Sequence, residues 1–194
     1  MIYDKLANFY DAAFAPFERR FLASWRAETL ALLPENSTIL EVGAGTGANF
    51  SLYPDCKMAV STEISIKMLD IAKTKANRNF PVQADAQFLP FDASSFDAAF
   101  ATLVFCSIPD PEAAFAELKR VIRPGGSVIL LEHVRPPRLL GHVFDVLNIL
   151  TVALIDDHFN RKTAEIAESC GLEMTEIRQK AAGTVNLIVC KVIK

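Results

Sequence analysis

The most informative stretch of the sequence is a glycine-rich loop that follows an apolar run. Residues Glu41–Gly47 read Glu-Val-Gly-Ala-Gly-Thr-Gly, shortly after a β-prone segment begins at Thr38. Glycines let the backbone turn tightly and approach a ligand closely, and the N-terminus of a following helix offers N–H groups to an anion. The loop therefore predicts a ligand site, although Gly43, Gly45 and Ala48 also satisfy the dinucleotide-binding pattern.

Two carboxylates extend this pattern toward a ligand that contains adenosine. Glu63 ends the second apolar run, 20 residues after Gly43, where a carboxylate can accept hydrogen bonds from both ribose hydroxyls. Asp85 ends the third run, where it can accept the exocyclic amine of an adenine. A nicotinamide-dependent oxidoreductase stays open as an alternative. It would explain the glycine loop and Glu63 but not Asp85 or the Arg123–Gly126 turn.

Apolar β-prone runs alternate with helical stretches along the chain. The predicted strands are Thr38–Gly43, Lys57–Glu63, Phe80–Asp85, Phe96–Ser107, Ser127–Val134, Leu172–Lys180 and Val185–Ile193. The predicted helices are Ser65–Asn77, Pro111–Ile122, Leu139–Ile155 and Arg161–Cys170. Strands separated by helices imply right-handed crossovers, and only the hairpin-length segment Ala181–Thr184 separates the last two strands. We therefore expect an α/β fold, with a doubly wound, mostly parallel, seven-stranded Rossmann-like sheet that ends in an antiparallel hairpin strand.

The 194 residues suit one domain. We divide it into an N-terminal helical segment (1–34), a cofactor-binding core (35–134) and acceptor-side helices with the C-terminal hairpin (135–194). The first segment carries apolar residues at helical spacing: Phe14, Phe17, Phe21, Leu22, Trp25, Leu30 and Leu33. Two interpretations are open, a helix packed on the sheet or a lid over the site.

Composition narrows the possible partners. A net charge of −3 and a pI near 5.6 provide no basic surplus, so we expect no nucleic-acid partner. The four cysteines are scattered, and His158 lacks a second set of ligands at metal spacing, so we expect a reduced, cytoplasmic protein without a metal. The N-terminus has acids and tyrosines where a signal peptide would be basic and then apolar.

In order and spacing, these motifs resemble the class I S-adenosylmethionine-dependent methyltransferases, over nearly the whole chain. One set of motifs resembles the branch that holds the ubiquinone and menaquinone methyltransferases: Glu41–Gly47, Glu63, Asp85-Ala86, Ser95–Asp97 and Arg123–Gly126. A second set looks similar to animal thiol S-methyltransferases and to short bacterial phosphatidylethanolamine N-methyltransferases: Gly45–Pro54, Thr102–Ser107 and Glu132–Val134. The resemblance implies S-adenosylmethionine as cofactor and S-adenosylhomocysteine as product. A non-catalytic module that binds this cofactor and regulates a partner is a further alternative.

The resemblance also implies roles for individual residues. Those near the methionine half of the cofactor are Gly43, Ala44, Gly45 and Gly47, with Glu41 as support and Tyr10 closing the site. Those near the adenosine half are Glu63 at the ribose, Ile64 and Met68 at the adenine face, and Asp85, Ala86 and Gln87 at the adenine edge. The sulfonium and the substrate would be bordered by Thr102, Leu103 and Cys106.

We expect a small, apolar or amphipathic methyl acceptor, namely a phospholipid amine, a quinol or a thiol. The apolar run Leu139–Ile155 motivates this expectation, with plain core packing as its alternative. His133 is the candidate base, or a structural histidine. Arg161 either meets a substrate phosphate or pairs locally. The sequence begins directly at the domain, so we expect peripheral membrane contact through the basic residues Arg135 and Arg138.

Overall fold

The computed structural model describes residues 4, 7, 15–16, 18–135, 141, 148, 158 and 160–193. The strands are β1 (Thr38–Val42), β2 (Met58–Glu63), β3 (Asn79–Gln83), β4 (Phe96–Thr102), β5 (Ile122–His133), β6 (Leu172–Lys180) and β7 (Val185–Val192). The α-helices are α1 (Ala23–Leu30), α2 (Ile66–Lys75), α3 (Pro111–Val121) and α4 (Thr163–Ser169). A π-helical turn (Glu18–Leu22) precedes α1, and short 3₁₀ turns cover Phe50–Leu52 and Ala181–Gly183.

The strands form one seven-stranded sheet in the order β3-β2-β1-β4-β5-β7-β6. The first five strands pair in parallel, and β7 pairs antiparallel with both β5 and β6. This arrangement confirms the predicted mostly parallel sheet with an antiparallel C-terminal strand. The strand order reverses between β1 and β4, and in open α/β sheets the crevice at such a reversal is where ligands bind.

Helices cover both faces of the sheet, as a parallel sheet requires. Ile39 of β1 packs with Leu30 at the end of α1, whereas its neighbour Leu40 packs on the opposite face with Phe115 and Leu118 of α3. Successive residues of a strand point to opposite faces, so a continuous apolar run such as that of β1 is buried on both sides. Only the ends of the strands are left for a ligand.

Two helices begin at side-chain caps beside the carboxyl edge of the sheet. Ser65 caps α2, and its hydroxyl accepts the Met68 backbone N–H at 3.3 Å. Asp110 caps α3, accepting the Ala113 backbone N–H at 3.0 Å, with Pro111 at the first helical position. Such caps satisfy backbone donors that otherwise have no intrahelical partner, which fixes where each helix starts.

Two predicted boundaries were wrong. The fourth strand ends at Thr102 and not at Ser107, because Leu103 adopts a φ of +60° that turns the chain out of the sheet. The predicted turn Arg123–Gly126 lies inside β5. There the pairing between β4 and β5 shifts from Phe96 with Ile122 to Ala98 with Ser127. The predicted turn is therefore a bulge within β5, with paired residues before and after it.

The N-terminal helical segment only partly follows the predicted stripe. Leu22, Leu30 and Leu33 are buried, whereas the Phe21 side chain is 41% exposed. Phe14, Phe17 and Tyr10 lie outside the described residues, as does the run 139–155 apart from Gly141 and Asn148. Across the parts of the chain that are described, no helix has the length and apolar character needed to cross a membrane.

Candidate functional site

A cleft of about 740 Å³ opens at the carboxyl ends of β1, β2 and β4. Parallel strands bring their carboxyl ends to one edge of the sheet, so residues far apart in sequence meet there. The predicted cofactor residues that line this cleft are Gly43, Ala44, Gly45, Glu63, Ile64, Met68, Asp85, Ala86, Gln87, Thr102 and Leu103. Glu41 and Gly47 are absent from its walls, and Tyr10 falls outside the described residues.

The glycine loop, hereafter the cofactor-side loop (Gly43–Gly47), needs glycine for two separate reasons. Gly43 has a φ of +68°, and a Cβ atom there would lie 2.5 Å from both γ-carbons of Val104. Gly45 has a φ of +56°, but a Cβ atom there would meet nothing within 4 Å. At Gly43 both backbone conformation and space demand glycine, whereas at Gly45 only the conformation does.

Glu63 is tied to the backbone on both sides. Its Oε2 accepts the Gly45 N–H at 2.8 Å, and its Oε1 accepts the Ser65 N–H at 2.8 Å. The carboxylate is buried, and this burial raises its pKa above the ordinary value. Each carboxylate oxygen can accept a second hydrogen bond, so Glu63 can hold the loop and still receive ligand hydroxyls.

Asp85 is oriented by its neighbour in a tight turn. Its Oδ1 accepts both the backbone N–H and the side-chain amide of Gln87, each at 2.9 Å. The carbonyl oxygen of the Gln87 side chain in turn accepts the Asp110 N–H at 3.0 Å, which links this turn to the start of α3. Asp85 is therefore held at the cleft wall with oxygen lone pairs available to a donor.

Glu41 lies behind the cofactor-side loop and not in the cleft wall. It is 1% exposed, accepting Asn49 Nδ2 at 2.6 Å and the hydroxyl of Tyr53. Burial raises its pKa to about 7, although these two hydrogen bonds and the charge of Arg26 oppose that shift. Glu41 thus holds the side chains of Asn49 and Tyr53, and its predicted support of the loop stays a prediction.

Arg26 is one of the site residues that the sequence analysis missed. Its side chain lines the cleft from α1 and is only 11% exposed, with Nε 3.1 Å from Glu18. Nη1 donates to Asn49 Oδ1 at 3.1 Å and to the Thr102 hydroxyl. Within the described residues its Nη2 has no hydrogen-bond partner.

A sequence signal for Arg26 existed. It lies four residues from both Leu22 and Leu30, so a helix places this charge on the same face as the buried leucines. A buried charge is costly unless it is paired, so a lone arginine in an apolar stripe indicates a partner or a ligand.

A further part of the cleft wall is formed by the acceptor-side loop (Leu103–Pro109), which follows β4. Its residues Val104, Ser107, Ile108 and Pro109 line the cleft together with Leu103. Cys106 is 2% exposed and is not part of that wall, contrary to prediction. The resemblance had implied this role for Cys106 within a strand predicted to reach Ser107, but the chain turns at Leu103, and Phe105 stacks on Phe115 in the core at a centroid distance of 4.3 Å.

The two remaining predicted residues lie outside the cleft wall. His133 is the half-buried last residue of β5, and its role as a base stays a prediction. Arg161 borders a separate cavity of about 130 Å³ beside Arg135. Its Nη1 donates to the carbonyl oxygens of Phe105 and Ile108, and contact with a substrate phosphate is not tested by this geometry.

Residues 40–130 match the family described as a methyltransferase domain. Similar curated proteins include thiol S-methyltransferase TMT1B of Mus musculus, 36% identical over 110 residues, which are 53% of this chain and 45% of that protein. Demethylmenaquinone methyltransferase of Roseiflexus castenholzii is 32% identical over 151 residues, which are 73% of this chain and 63% of that protein. The chain therefore spans about half to just under two thirds of the length of these relatives.

Solved structures share the fold. A SAM-dependent methyltransferase of Thermotoga maritima superposes with a TM-score of 0.78 at 22% identity, covering 98% of both chains. A methyltransferase solved with the Haloferax volcanii Trm112 methyltransferase activator gives a TM-score of 0.80 at 17% identity, covering 99% of this chain and 98% of that chain. The family match thus assigns a methyltransferase domain to residues 40–130, and the solved structures share the fold of the chain.

Proposed function

We propose that this protein is a methyltransferase that binds S-adenosylmethionine and transfers its methyl group to a small acceptor. One observation carries the proposal. A single cleft brings the cofactor-side loop, Glu63 and Asp85 together with the acceptor-side loop. A cofactor held by the first three would lie directly beside the wall that an acceptor must use.

The residues present fit an adenosyl amino acid. Glu63 has acceptor capacity for ribose hydroxyls, and Ile64, 38% exposed, offers an apolar surface to adenine. Arg26 provides a buried cation with an unused Nη2 among the described residues, which suits the carboxylate of the methionine half. The bare backbone at Gly45, where a Cβ atom would meet nothing within 4 Å, leaves room for close approach.

In methyl transfer from this cofactor, the main task of the side chains is to position the reactants. The cofactor supplies a methyl group that is already activated on a sulfonium. The protein must hold the acceptor atom in line with that methyl group and keep water out. A thiol or phenol must also lose its proton near the moment of attack, and His133 at the end of β5 is our candidate for that step.

We propose a small apolar thiol or quinol as the acceptor. Leu103, Val104 and Ile108 give the acceptor wall an apolar character that suits such molecules. Thiol S-methyltransferase and demethylmenaquinone methyltransferase, the names of two relatives, support the same two acceptor classes. A phospholipid amine, which was also predicted from the sequence, should be tested as an acceptor together with thiols and quinols.

Calorimetry tests the cofactor proposal. We expect the protein to bind S-adenosylhomocysteine and not NAD. Arg26→Met should weaken S-adenosylhomocysteine binding about 10–100-fold, because hydrogen bonds to a charged group contribute about 1.5–3 kcal/mol. The same variant should bind 5′-methylthioadenosine, which lacks the amino-acid half, about as well as the parent does.

Glu63→Ala is the complementary variant, because it should weaken both ligands by a similar factor. Tight NAD binding without S-adenosylhomocysteine binding would refute the proposed function. Equal losses of both ligands in Arg26→Met would refute only the placement of the carboxylate. Labelled methyl transfer to a panel of thiols, quinols and phospholipid amines then identifies the acceptor, and a protein that methylates only polar acceptors would contradict the proposed class.

A further inference from the structure

The acceptor-side loop is anchored at its start by a buried carboxylate from the next strand. Glu132 of β5 is 0% exposed, and its Oε1 accepts the backbone N–H groups of Val104 at 3.0 Å and Phe105 at 3.1 Å. One carboxyl oxygen therefore satisfies two consecutive backbone donors at the point where the chain leaves the sheet. Two hydrogen bonds to the same buried oxygen fix both residues, so this is a firm anchor.

The other end of the same loop is held by a cation from a distant part of the sequence. Arg161 Nη1 donates to the carbonyl oxygen of Ile108 at 2.7 Å and to that of Phe105. The backbone N–H of His158 donates to the carbonyl oxygen of Cys106 at 2.9 Å, and Arg161 N donates to His158 O at 3.2 Å. His158 and Arg161 thus donate hydrogen bonds to three carbonyl groups of the loop, those of Phe105, Cys106 and Ile108.

Between these anchors the loop contains a hydrogen-bonded turn, closed by the Ser107 N–H bond to Val104 O at 3.0 Å. Glu132 accepts the backbone N–H groups of Val104 and Phe105, and Arg161 donates to the carbonyl groups of Phe105 and Ile108. The two side chains therefore hold the loop through its backbone donors and its backbone acceptors, respectively.

Arg161 reaches the cleft only through the loop. It is not part of the cleft wall, whereas Val104, Ser107 and Ile108 are. Phe105, between them, faces the core and stacks on Phe115. Whatever fixes the carbonyl groups of Phe105 and Ile108 therefore fixes the surface against which an acceptor rests.

We propose that Arg161 is a positioning residue that sets the geometry of the acceptor wall by clamping the acceptor-side loop against Glu132. The proposal rests on the proposed methyl transfer, since it assigns the acceptor side of that same cleft. Arg161 acts through the backbone of Phe105 and Ile108 and has no contact with the acceptor. In-line transfer is sensitive to small displacements, so loosening the wall should slow transfer more than it weakens binding of the cofactor.

The test compares Arg161→Met with Arg161→Lys and with the matched control Lys162→Met. Lys162 is the adjacent cation and pairs only on the surface with Glu165, at 2.9 Å. Amide hydrogen exchange in the acceptor-side loop, S-adenosylhomocysteine affinity and methyl-transfer kinetics are measured for each variant with the acceptor that the panel identifies.

For Arg161→Met we expect exchange of the Val104, Phe105 and Ser107 amides to rise by about 10-fold or more, because the clamp no longer opposes local opening. S-adenosylhomocysteine affinity should stay within about 3-fold of the parent, and kcat should fall by about 10-fold or more. Arg161→Lys should recover part of both effects, because it retains the charge but loses the planar guanidinium group. Lys162→Met should match the parent.

Unchanged loop exchange in a folded Arg161→Met variant would overturn the proposal. So would a rise in KM that is confined to anionic acceptors, because that result would indicate direct contact with the substrate. If the parent fails to bind S-adenosylhomocysteine, the proposed function fails, while the exchange measurement still decides whether Arg161 clamps the loop. If Arg161→Met does not fold, the exchange of Arg161→Lys decides, with parent-like values counting against the clamp.

Discussion

The two loops that line the cleft after the adjacent strands β1 and β4 are built by different means. The cofactor-side loop follows β1 and has three glycines at positive φ, Gly43, Gly45 and Gly47. The acceptor-side loop follows the neighbouring strand β4 and contains no glycine, with Leu103 as its one positive-φ residue. The first loop is shaped by its own residue types, whereas the second is shaped by hydrogen bonds from elsewhere in the fold.

Both loops nevertheless use a buried glutamate as an anchor. Glu63 accepts one N–H from the cofactor-side loop and lines the cleft, so the same carboxylate can serve the ligand. Glu132 accepts two N–H groups from the acceptor-side loop and is fully buried, so it serves the loop. One anchor is therefore part of the cleft wall, whereas the other is fully buried.

The largest effect is expected at the point where the two loops touch. Gly43→Ala should lower the free energy of unfolding by about 2–5 kcal/mol, since a left-handed conformation costs a side chain about 1–2 kcal/mol and overpacking costs about 1–3 kcal/mol. Gly45→Ala is the matched control, with comparable backbone strain and open space, and should lose only the first part. Urea unfolding measures both variants.

Val104→Ala should rescue part of this loss, because the collision at Gly43 is with the Val104 side chain. In a double-mutant cycle, the two substitutions should therefore be less destabilising together than the sum of their separate effects. Equal losses in Gly43→Ala and Gly45→Ala, with no coupling to Val104, would show that the loops do not constrain each other.

The second effect is a dependence of stability on pH that originates behind the cofactor-side loop. The Glu41 pKa is raised from 4.5 to about 7 in the folded protein, so between these values the folded state binds more protons than the unfolded state. Stability contributed by this group therefore falls as pH rises through that window, by up to about 3 kcal/mol. Glu41→Gln cannot ionise and should lack this loss.

Urea unfolding of the parent and of Glu41→Gln at about pH 5 and about pH 8 tests the sign. The stability of the variant relative to the parent should improve as pH rises. The difference between the two proteins isolates Glu41 from Glu63, whose pKa burial also raises. A relative stability that stays constant or falls with pH would contradict the placement of Glu41 as a buried, partly protonated support.

The smallest effect is expected inside the acceptor-side loop. The Ser107 hydroxyl donates to Val104 O at 3.0 Å, and the Ser107 N–H donates to the same carbonyl group. Ser107→Ala should cost no more than about 1 kcal/mol, the usual net contribution of one hydrogen bond, because the charged anchors remain. A loss of several kcal/mol in thermal or urea unfolding would mean that the loop is stabilised locally and would weaken the contrast with the cofactor-side loop.

Local patterns were sufficient for much of the fold and for the cofactor side of the site. The strand Leu172–Lys180 has the predicted bounds and the next strand begins at the predicted Val185, because alternating β-prone residues and a short connection are properties of neighbouring residues. The cofactor-side loop was identified from its glycines, whose conformational requirement is also local. In the same way, Glu63 was recognised as the end of the second strand, whereas β3 ends at Gln83, before the predicted Asp85.

Tertiary structure alone decided the acceptor side. The sequence could not show that Leu103 turns the chain, which takes Cys106 out of the cleft wall and brings Ile108 into it. Nor could it show that the Arg161 side chain donates to the carbonyl groups of Ile108 and Phe105, which are 53 and 56 residues away in sequence. Such contacts depend on which strands are neighbours and where the chain returns, so no local pattern of residues encodes them.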